Sequence, residues 1–295
     1  TAVKATGKNG VFDQHQQGCL VRAWRMEIVS STYELNELMI IESARHIADG
    51  NVVMVGTGLP MVATTFAFKT HAPNLVVIVE SGPIDPVIMK TPISVSDPRV
   101  MHQAARLGSL REVLGCVLQR GLVDVGFIGG AQIDQYGNIN STVIGDYRSP
   151  KVRLPGSGGA NDIASHAKRL LLIVSHERRR FPLQCDYITS PGYLDGPKAR
   201  KKAGLKTAAP RITVVTNLAV METNPETGLF SVTKLMPGVD LETVYSNMEF
   251  QPSVGSVIET VALPSDHNIR FLREVVDPEG VYVKRDKPSG KDIMG

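Results

Sequence analysis

The sequence predicts an α/β protein built on an open, mainly parallel β-sheet with helices on both faces. Continuous runs of apolar, often β-branched residues recur along the chain, and residues 75–79 (LVVIV) and 170–174 (LLLIV) are clear examples. Strands that are apolar throughout, rather than at every second residue, are typical of sheets covered on both faces. Glycine-containing loops and helical segments separate the runs, which is the alternation expected of strands joined by helical crossovers.

The first 25 residues differ from the rest, because they mix glycines, glutamines and charges without a helical or strand period. They also lack the apolar stretch of a secretory signal. We interpret residues 1–25 as an N-terminal extension or tether and residues 26–295 as one domain. Its first predicted element is a helix with Ser31 as the N-cap, Glu34 within capping-box reach and Gly50 at its end.

From residue 51 the chain follows the order strand, loop, helix, strand. The strand 51–55 leads into a tight loop, residues 56–60, whose proline suits the first turn of a helix that reaches about Thr70. Residues 71–74 break this helix before the buried strand 75–79. The same criteria predict three further strands, at 123–128, 170–174 and 211–215, and three further helices, at 100–106, 110–120 and 268–276.

Composition and charge exclude several classes of protein. Apolar residues make up 42% of the chain and charged residues 21%, which is ordinary for a globular protein. No apolar run approaches the roughly 18 residues of a membrane span, and a net charge of +3 is too small to indicate nucleic-acid binding. Cys19, Cys116 and Cys185 form no disulfide framework by number or spacing. We therefore expect a cytoplasmic protein without membrane or nucleic-acid partners.

Three loops that follow predicted strands carry residue types suited to chemistry. The first contains Gly56 and Gly58, a glycine pair that lets backbone N–H groups approach a ligand ahead of a helix N-terminus. It matches neither the G-x-G-x-x-G pattern of dinucleotide sites nor a phosphate-binding P-loop. These residues agree equally well with a plain strand-to-helix turn.

The second loop begins with Glu80, which directly follows the strand 75–79 and precedes Ser81 and Gly82. A carboxylate at the end of an apolar strand is held on rigid backbone, and the small residues after it leave space for a ligand. Because most glutamates are simply surface residues, position alone favours a surface acid over a catalytic one.

The third loop is the glycine- and amide-rich stretch 127–162, which includes Gln132 and Asn138 and ends in GSGGAND at 156–162. Three glycines in four residues beside a predicted helix start form a nest of backbone N–H groups. Such a nest suits a phosphate, a carboxylate or a developing oxyanion. A flexible surface loop is the alternative, and the absence of surrounding low-complexity sequence weakens it.

The sequence contains no motif typical of a metal site or of a serine hydrolase. The histidines are dispersed without ligand spacing, so we expect no metal and interpret His71, His102 and His166 as capping or surface residues. The G-x-S-x-G motif of serine hydrolases is absent. The basic run Arg178–Arg180 is interpreted most simply as a solvated face, with contact to an anionic cofactor tail as the alternative.

Together these loops resemble the class I coenzyme A transferases, specifically the B subunit of the glutaconate CoA-transferase type. The similar stretches are collinear and extend over about residues 34–286. They are VGTGLP (55–60), HAPN with LVVIVESG (71–82), FIGGAQIDQYGNINSTVIGDY (127–147), GSGGAND (156–162), HERRRF (176–181) and DYITSPGYLDG (186–196).

The resemblance implies that Glu80 is a nucleophile that forms a glutamyl-CoA thioester with its substrate. It further implies an oxyanion or CoA-binding role for Gly158, Gly159 and Gln132. The residues it implies as substrate-lining are Gly56, Gly58, Ser81, Gly82 and Asn138.

The resemblance also implies the partners and the cofactor use. Coenzyme A enters as the acyl-CoA substrate, a small carboxylic acid is the acceptor, and no cofactor is permanently bound. An A subunit of similar fold completes the enzyme, in an A2B2 or larger assembly, and a glutaconate-like dicarboxylate is the favoured acid.

Two alternatives stay open at this level. Relatives with the same fold carry out acyl-CoA hydrolysis, ring opening or decarboxylation, and these lack the glutamate that is present here as Glu80. A non-enzymatic ligand-sensing domain is the other alternative. It requires a DNA-binding module, for which the sequence shows no helix-turn-helix candidate.

Overall fold

The computed structural model describes residues 33–205 and 209–283. The α-helices are α1 (Leu35–Arg45), α2 (Leu59–Thr70), α3 (Ala160–His166), α4 (Ala199–Lys202), α5 (Leu241–Ser246) and α6 (Asp266–Phe271). The strands are β1 (Val52–Val55), β2 (Val76–Val79), β3 (Pro83–Ile84), β4 (Arg106–Leu107), β5 (Val125–Ile128), β6 (Gln132–Ile133), β7 (Ile139–Asn140), β8 (Val143–Gly145), β9 (Pro150–Arg153), β10 (Arg169–Ile173), β11 (Arg211–Val215), β12 (Ala219–Thr223), β13 (Phe230–Leu235) and β14 (Ser253–Thr260). Two 3₁₀ turns (Pro98–Met101, Arg178–Arg180) and two π-helical segments (Glu112–Leu118, Leu272–Val276) complete these elements.

The centre of the molecule is a ten-stranded sheet with the order β14-β13-β12-β11-β10-β5-β1-β2-β3-β4. Its five central strands, from β11 to β2, are parallel to one another. These are the five strands predicted from continuous apolar runs, so the mainly parallel sheet is confirmed. Antiparallel pairs extend the sheet on both sides, through β3 and β4 at one edge and β12 and β13 at the other.

Helices cover both faces of this sheet, as the sequence predicts. On one face α1, α2 and the α6 region pack over the sheet through buried residues that include Leu38, Phe66 and Leu272. On the other face the segment Glu112–Leu118, α3 and α5 pack through a second buried cluster that includes Ile163. Because a buried apolar cluster lies on each face of the sheet, the central strands are apolar on both sides.

The first helix begins at Leu35, with Glu34 as its N-cap in a capping box shared with Glu37. The predicted N-cap, Ser31, lies outside the described residues. Two carboxylates of α1 are buried and paired. Glu37 accepts hydrogen bonds of 2.6 and 2.7 Å from Arg273, and Glu42 pairs with Arg45 and with Lys234 at 2.9 Å each.

The prediction of a helix over residues 100–106 is wrong. A 3₁₀ turn ends at Met101, and Gln103 then adopts a left-handed backbone with φ of 47°, which no α-helix continues through. The chain therefore reverses, and Arg106–Leu107 pairs with β3 at the sheet edge. The predicted helices at 110–120 and 268–276 are confirmed as helical, with π-helical turns in each.

Other predictions are resolved only in part. Residues 1–25 and Cys19 lie outside the described residues, so the division into an extension and a domain stays a prediction. Cys116 and Cys185 are both unpaired. Within residues 33–205 and 209–283, no helix is long and apolar enough to cross a membrane.

Candidate active site

The topology of the sheet brings the predicted loops to one edge. β1 lies between β2 and β5, and the three strands are parallel in register, with Val55 opposite both Val79 and Phe127. Gly56, Glu80 and Gly129 are the first residues after these strands. Their loops therefore leave the sheet at its carboxyl edge, where open parallel sheets bind their ligands.

Glu80 meets the glycine nest at this edge. Its half-buried carboxylate accepts a hydrogen bond from the backbone N–H of Gly159, with 3.2 Å between Gly159 N and Glu80 Oε2. A Cβ added to Gly159 would lie 2.6 Å from Oε2, and one added to Gly158 would lie 3.6 Å from Oε1. The two glycines thus face the two oxygens of one carboxylate, and a side chain at Gly159 would obstruct this approach.

The position of the nest follows from the packing of α3 on β5. Gly126 lies in β5, and a Cβ there would approach Ile163 Cγ2 of α3 to 2.2 Å. Without a side chain at Gly126, α3 lies directly against the sheet, and Gly159 is its N-cap. The small residue in a central strand therefore determines how close the nest comes to Glu80.

The pKa of Glu80 is raised above its ordinary value. Burial of the carboxylate raises the pKa, and the hydrogen bond from Gly159 N–H lowers it only in part. Among the described residues, no cationic side chain forms an ion pair with this carboxylate. Glu80 is therefore a carboxylate stabilised by a backbone donor alone, and such perturbed acids concentrate at functional sites.

Ser81 and Gly82 shape the turn after Glu80. Ser81 Oγ donates a 2.6 Å hydrogen bond to the carbonyl of Val95. Gly82 has a φ of 131°, and a Cβ there would lie 2.0 Å from the carbonyl oxygen of Gly108. Both residues thus hold the loop in place, and their predicted contact with substrate stays a prediction.

The loop after β1 is open to a ligand. Gly56 N–H donates to Phe127 O at 3.4 Å, and a Cβ on Gly56 would find no atom within 4 Å. Gly58 has a φ of 94° and is the N-cap of α2. Gly58 therefore supplies the conformation that the turn requires, while the space beside Gly56 is available.

Gln132 and Asn138 are buried, and their side chains hydrogen-bond to residues other than Glu80. The side chain of Gln132 bonds to Asp186 (3.1 Å) and to Asn140 (2.7 Å). Asn138 Nδ2 donates to Asp134 at 3.0 Å, while its Oδ1 accepts two backbone N–H groups, from residues 192 and 194, at 2.9 Å each. Within the described residues these buried amides serve structural networks, and the site-lining role expected for them stays a prediction.

The histidine prediction agrees with the structure at His71, which follows α2 as its C-cap. Its ring Nε2 lies 3.1 Å from Ala44 O and 3.0 Å from Ile47 O, so it connects α2 to α1. Across the described part of the chain, no group of three His, Cys, Asp or Glu residues has metal-binding geometry.

Sequence reasoning missed several residues around the nest. Leu114 lies 3.5 Å from where a Cβ of Gly159 would be. Ser141, Asn161 and Thr189 hydrogen-bond to the nest loop or to one another. The only available signal was that Ser141, Asn161 and Thr189 lie in three of the stretches that resemble the transferases, which assigns them no individual role.

Comparisons with known proteins agree with this geometry. The sequence profile described as coenzyme A transferase matches residues 37–247. The chain is 40% identical over 243 residues to the B subunit of 3-oxoadipate CoA-transferase from Pseudomonas knackmussii, covering 82% of this chain and 93% of that protein. It is 36% identical over 258 residues to the B subunit of glutaconate CoA-transferase from Acidaminococcus fermentans, covering 86% and 96%.

Solved structures show the same fold. The crystal structure of glutaconate CoA-transferase from Acidaminococcus fermentans superposes with a TM-score of 0.81 at 36% identity, over 86% of this chain and 99% of that one. The decarboxylase AibA/AibB superposes with a TM-score of 0.72 at 24% identity, over 84% and 97%, and shows the fold alone. The profile match and the two relatives together establish that this chain belongs to the coenzyme A transferase family and is similar to its B subunits.

Proposed function

We propose that this chain is the B subunit of a heteromeric CoA-transferase that moves CoA from an acyl-CoA to an acceptor carboxylate through a glutamyl-CoA thioester at Glu80. The observation that carries this proposal is the half-buried Glu80 carboxylate, which contacts Gly159 N–H at 3.2 Å and pairs with no cation among the described residues.

The first half-reaction needs no base, because the nucleophile is an ionised carboxylate. A Glu80 oxygen attacks the thioester carbonyl of the acyl-CoA, the C–S bond breaks, and an acyl-glutamyl anhydride and CoA thiolate result. The thiolate then attacks the glutamyl carbonyl carbon, and the donor acid leaves as a carboxylate. Glu80 now carries CoA as a thioester.

The second half-reaction runs the same steps in reverse. The acceptor carboxylate attacks the glutamyl-CoA carbonyl, which releases the thiolate and forms a new anhydride. The thiolate attacks the acceptor's acyl carbon, giving the product acyl-CoA and regenerating the Glu80 carboxylate. Each attack at the glutamyl carbon places negative charge on its oxygen, which is the atom that Gly159 N–H contacts, so this N–H acts as an oxyanion donor.

The names of the two relatives support the substrate class that we propose. They are named for 3-oxoadipate and glutaconate, at 40% and 36% identity, and both acids carry two carboxylates. We propose a short dicarboxylic acyl-CoA, glutaconate-like in size. An A subunit of similar fold would cover the carboxyl edge of the sheet and exclude the water that would hydrolyse the thioester.

Covalent trapping tests this proposal. The chain is co-purified with its A subunit, incubated with glutaconyl-CoA or 3-oxoadipyl-CoA, and treated with borohydride before peptide mass analysis. In the wild type we expect the peptide that contains Glu80 to carry a CoA adduct, or the reduced side chain that borohydride forms from it. Glu226→Gln, which removes an exposed glutamate, is the control and should give the same result. Full activity in Glu80→Ala, or CoA release that needs no acceptor carboxylate, would contradict transferase chemistry.

A further inference from the structure

The segment DYITSPGYLDG (186–196) contributes no group that contacts Glu80, yet it lies against the loop that carries the glycine nest. Thr189 is its point of contact. This residue is only 5% exposed, and its own N–H donates to Ile139 O at 2.9 Å. Its backbone is therefore fixed to the structure that follows β5.

Thr189 contacts the chain on the entry side of the nest. Its Oγ1 accepts a 2.9 Å hydrogen bond from Ser141 N–H and lies 2.7 Å from Thr142 Oγ1. Ser141 in turn makes a reciprocal pair with Gly156, in which Ser141 Oγ donates to Gly156 O and Gly156 N–H donates to Ser141 O, both at 2.8 Å. Gly156 is two residues before Gly158.

Thr189 also contacts the exit side of the nest. Its backbone carbonyl accepts a 2.8 Å hydrogen bond from Asn161 Nδ2. Asn161 is two residues after Gly159, and its N–H donates to Ser157 Oγ at 3.2 Å. One buried threonine thus holds the nest loop on both of its flanks.

We propose that Thr189 is a positioning residue of the transferase reaction, which holds Gly158 and Gly159 against the carboxylate of Glu80. This inference rests on the proposed function of Glu80. Two consecutive glycines have little conformational preference of their own, so the place of the Gly159 N–H must be determined by contacts outside the pair.

A small displacement of the nest has a large expected effect. The distance of 3.2 Å between Gly159 N and Glu80 Oε2 is already at the long end of the normal range for N–H···O bonds. Moving the N–H away removes the oxyanion donor. It also removes the hydrogen bond that lowers the pKa of Glu80, so the pKa rises further.

The test uses the complex with the A subunit and compares Thr189→Val with Thr189→Ser. Valine keeps the shape but removes the hydroxyl, and serine restores it. For Thr189→Val we expect kcat to fall about 10- to 100-fold and the acid limb of kcat/KM to move to higher pH. Thr189→Ser should return both toward wild type.

Thr223→Val is the matched control. Thr223 is 2% exposed and accepts a 3.0 Å hydrogen bond from Ile212 N–H, a buried contact of the same kind in a different part of the sheet. We expect it to lower stability without moving the acid limb. An acid limb that moves equally in Thr189→Val and Thr223→Val, or that moves in neither, would overturn the positioning role. A Thr189→Ser variant whose kcat and acid limb are the same as those of Thr189→Val would also overturn it.

A second readout does not need turnover. Water-soluble carbodiimides label protonated carboxyl groups, so the pH midpoint of Glu80 labelling, followed by peptide mass, reports its protonation. We expect a higher pH midpoint of Glu80 labelling in Thr189→Val than in the wild type. Should Thr189→Val fail to assemble, Asn161→Ala replaces it, and we expect the same rise in its midpoint. An unchanged midpoint refutes the positioning of the nest. Failure to trap CoA on wild-type Glu80 refutes the proposed function instead, and the labelling result still decides the role of Thr189.

Discussion

Two buried or half-buried glutamates in the same molecule have opposite environments. Glu42 in α1 is fully buried, with the cations Lys234 and Arg45 each 2.9 Å away and the His46 ring nitrogen Nε2 at 3.5 Å. Within the described residues, the carboxylate of Glu80, at the carboxyl edge of the sheet, accepts a hydrogen bond from the N–H of Gly159 alone. The first carboxylate stabilises the fold, whereas the second is left available for chemistry.

The pKa values follow these surroundings in opposite directions. Burial raises the pKa of Glu42, but the hydrogen bonds from His46, Lys234 and Arg45 outweigh it and bring the pKa to about 2. At Glu80 burial prevails over a single backbone hydrogen bond, and the pKa is raised. The contrast between the two carboxylates agrees with the proposal that Glu80, and not Glu42, is the nucleophile.

A carboxylate that becomes a neutral thioester loses its charge in every catalytic cycle. A buried cation beside it would then be left without a partner, at a cost of several kcal/mol. A backbone N–H avoids this, because it donates equally to a carboxylate, a thioester carbonyl and an oxyanion. The environment of Glu80 therefore suits a group whose charge must change, and that of Glu42 suits a group whose charge must not.

The largest expected effect is that of removing the Glu80 carboxylate. Glu80→Gln keeps the size of the side chain but lacks the nucleophile, so transferase turnover should fall by about three orders of magnitude or more. The thermal unfolding midpoint should stay near that of the wild type, because Glu80 has no ion pair to lose. A steady-state assay measures turnover, and differential scanning calorimetry of the same preparation measures the unfolding midpoint. Turnover retained in Glu80→Gln would contradict a catalytic role for Glu80 and a difference in role between Glu80 and Glu42.

The next largest effect is expected at the donor. In Gly159→Ala the new Cβ would lie 2.6 Å from Glu80 Oε2, the mobile end of a side chain, so the protein should fold by displacing the carboxylate. Loss of one oxyanion donor typically costs about 100-fold or more in kcat. Gly115→Ala is the control, because Gly115, like Gly159, has no positive φ, and a Cβ there would find no atom within 4 Å. Equal kcat in the two variants would contradict the role of Gly159.

Glu42 should show the opposite pattern. Glu42→Gln leaves Lys234 and Arg45 without their buried anion and should lower the free energy of unfolding by about 3 kcal/mol, with turnover per folded enzyme unchanged. Urea unfolding of wild type and variant measures this. A loss of turnover with intact stability would mean that the two glutamates had been assigned the wrong way round.

The lowered pKa of Glu42 also predicts how its contribution to stability depends on pH. Because the pKa of Glu42 is lowered in the folded state, its contribution to stability is present above about pH 4.5 and is lost as pH falls toward 2. The wild-type advantage over Glu42→Gln in unfolding free energy should shrink across this interval. An advantage that persists undiminished at pH 2 would contradict the ion-pair account.

The smallest effect concerns the activity profile. Because the pKa of Glu80 is raised, the acid limb of kcat/KM should lie above the ordinary glutamate value of 4.5. Initial rates over pH 4 to 8, within the range where the complex stays assembled, define that limb. A limb at or below pH 4.5 would show that burial does not dominate at Glu80.

Much of the fold was predictable because the central strands are marked locally. All five apolar runs identified in the sequence are central parallel strands, since a strand covered on both faces must be apolar on both sides. The helix predicted at 100–106 failed because Gln103 adopts a left-handed conformation and the chain joins the sheet edge. Such a reversal depends on pairing with β3, which no local pattern records.

For the candidate site, the resemblance directed attention to Glu80, whose catalytic role stays a prediction, and the structure shows which backbone group faces it. The resemblance implies site roles for Gln132 and Asn138, and these roles stay predictions; in the structure both side chains hydrogen-bond to buried or half-buried protein groups. The sequence assigns Thr189 no individual role, and the structure shows that it contacts both flanks of the nest. The direction in which a polar side chain points is a property of the assembled loops.

Local sequence was enough to locate the central strands and the carboxylate that follows a buried one, because burial on both faces and the end of an apolar run are local properties. The meeting of Gly159 with Glu80, 79 residues away, is visible only in the folded chain. That meeting requires α3 to lie flat on β5 at Gly126, and close packing between distant segments is set by complementary shape rather than by any short run of residues.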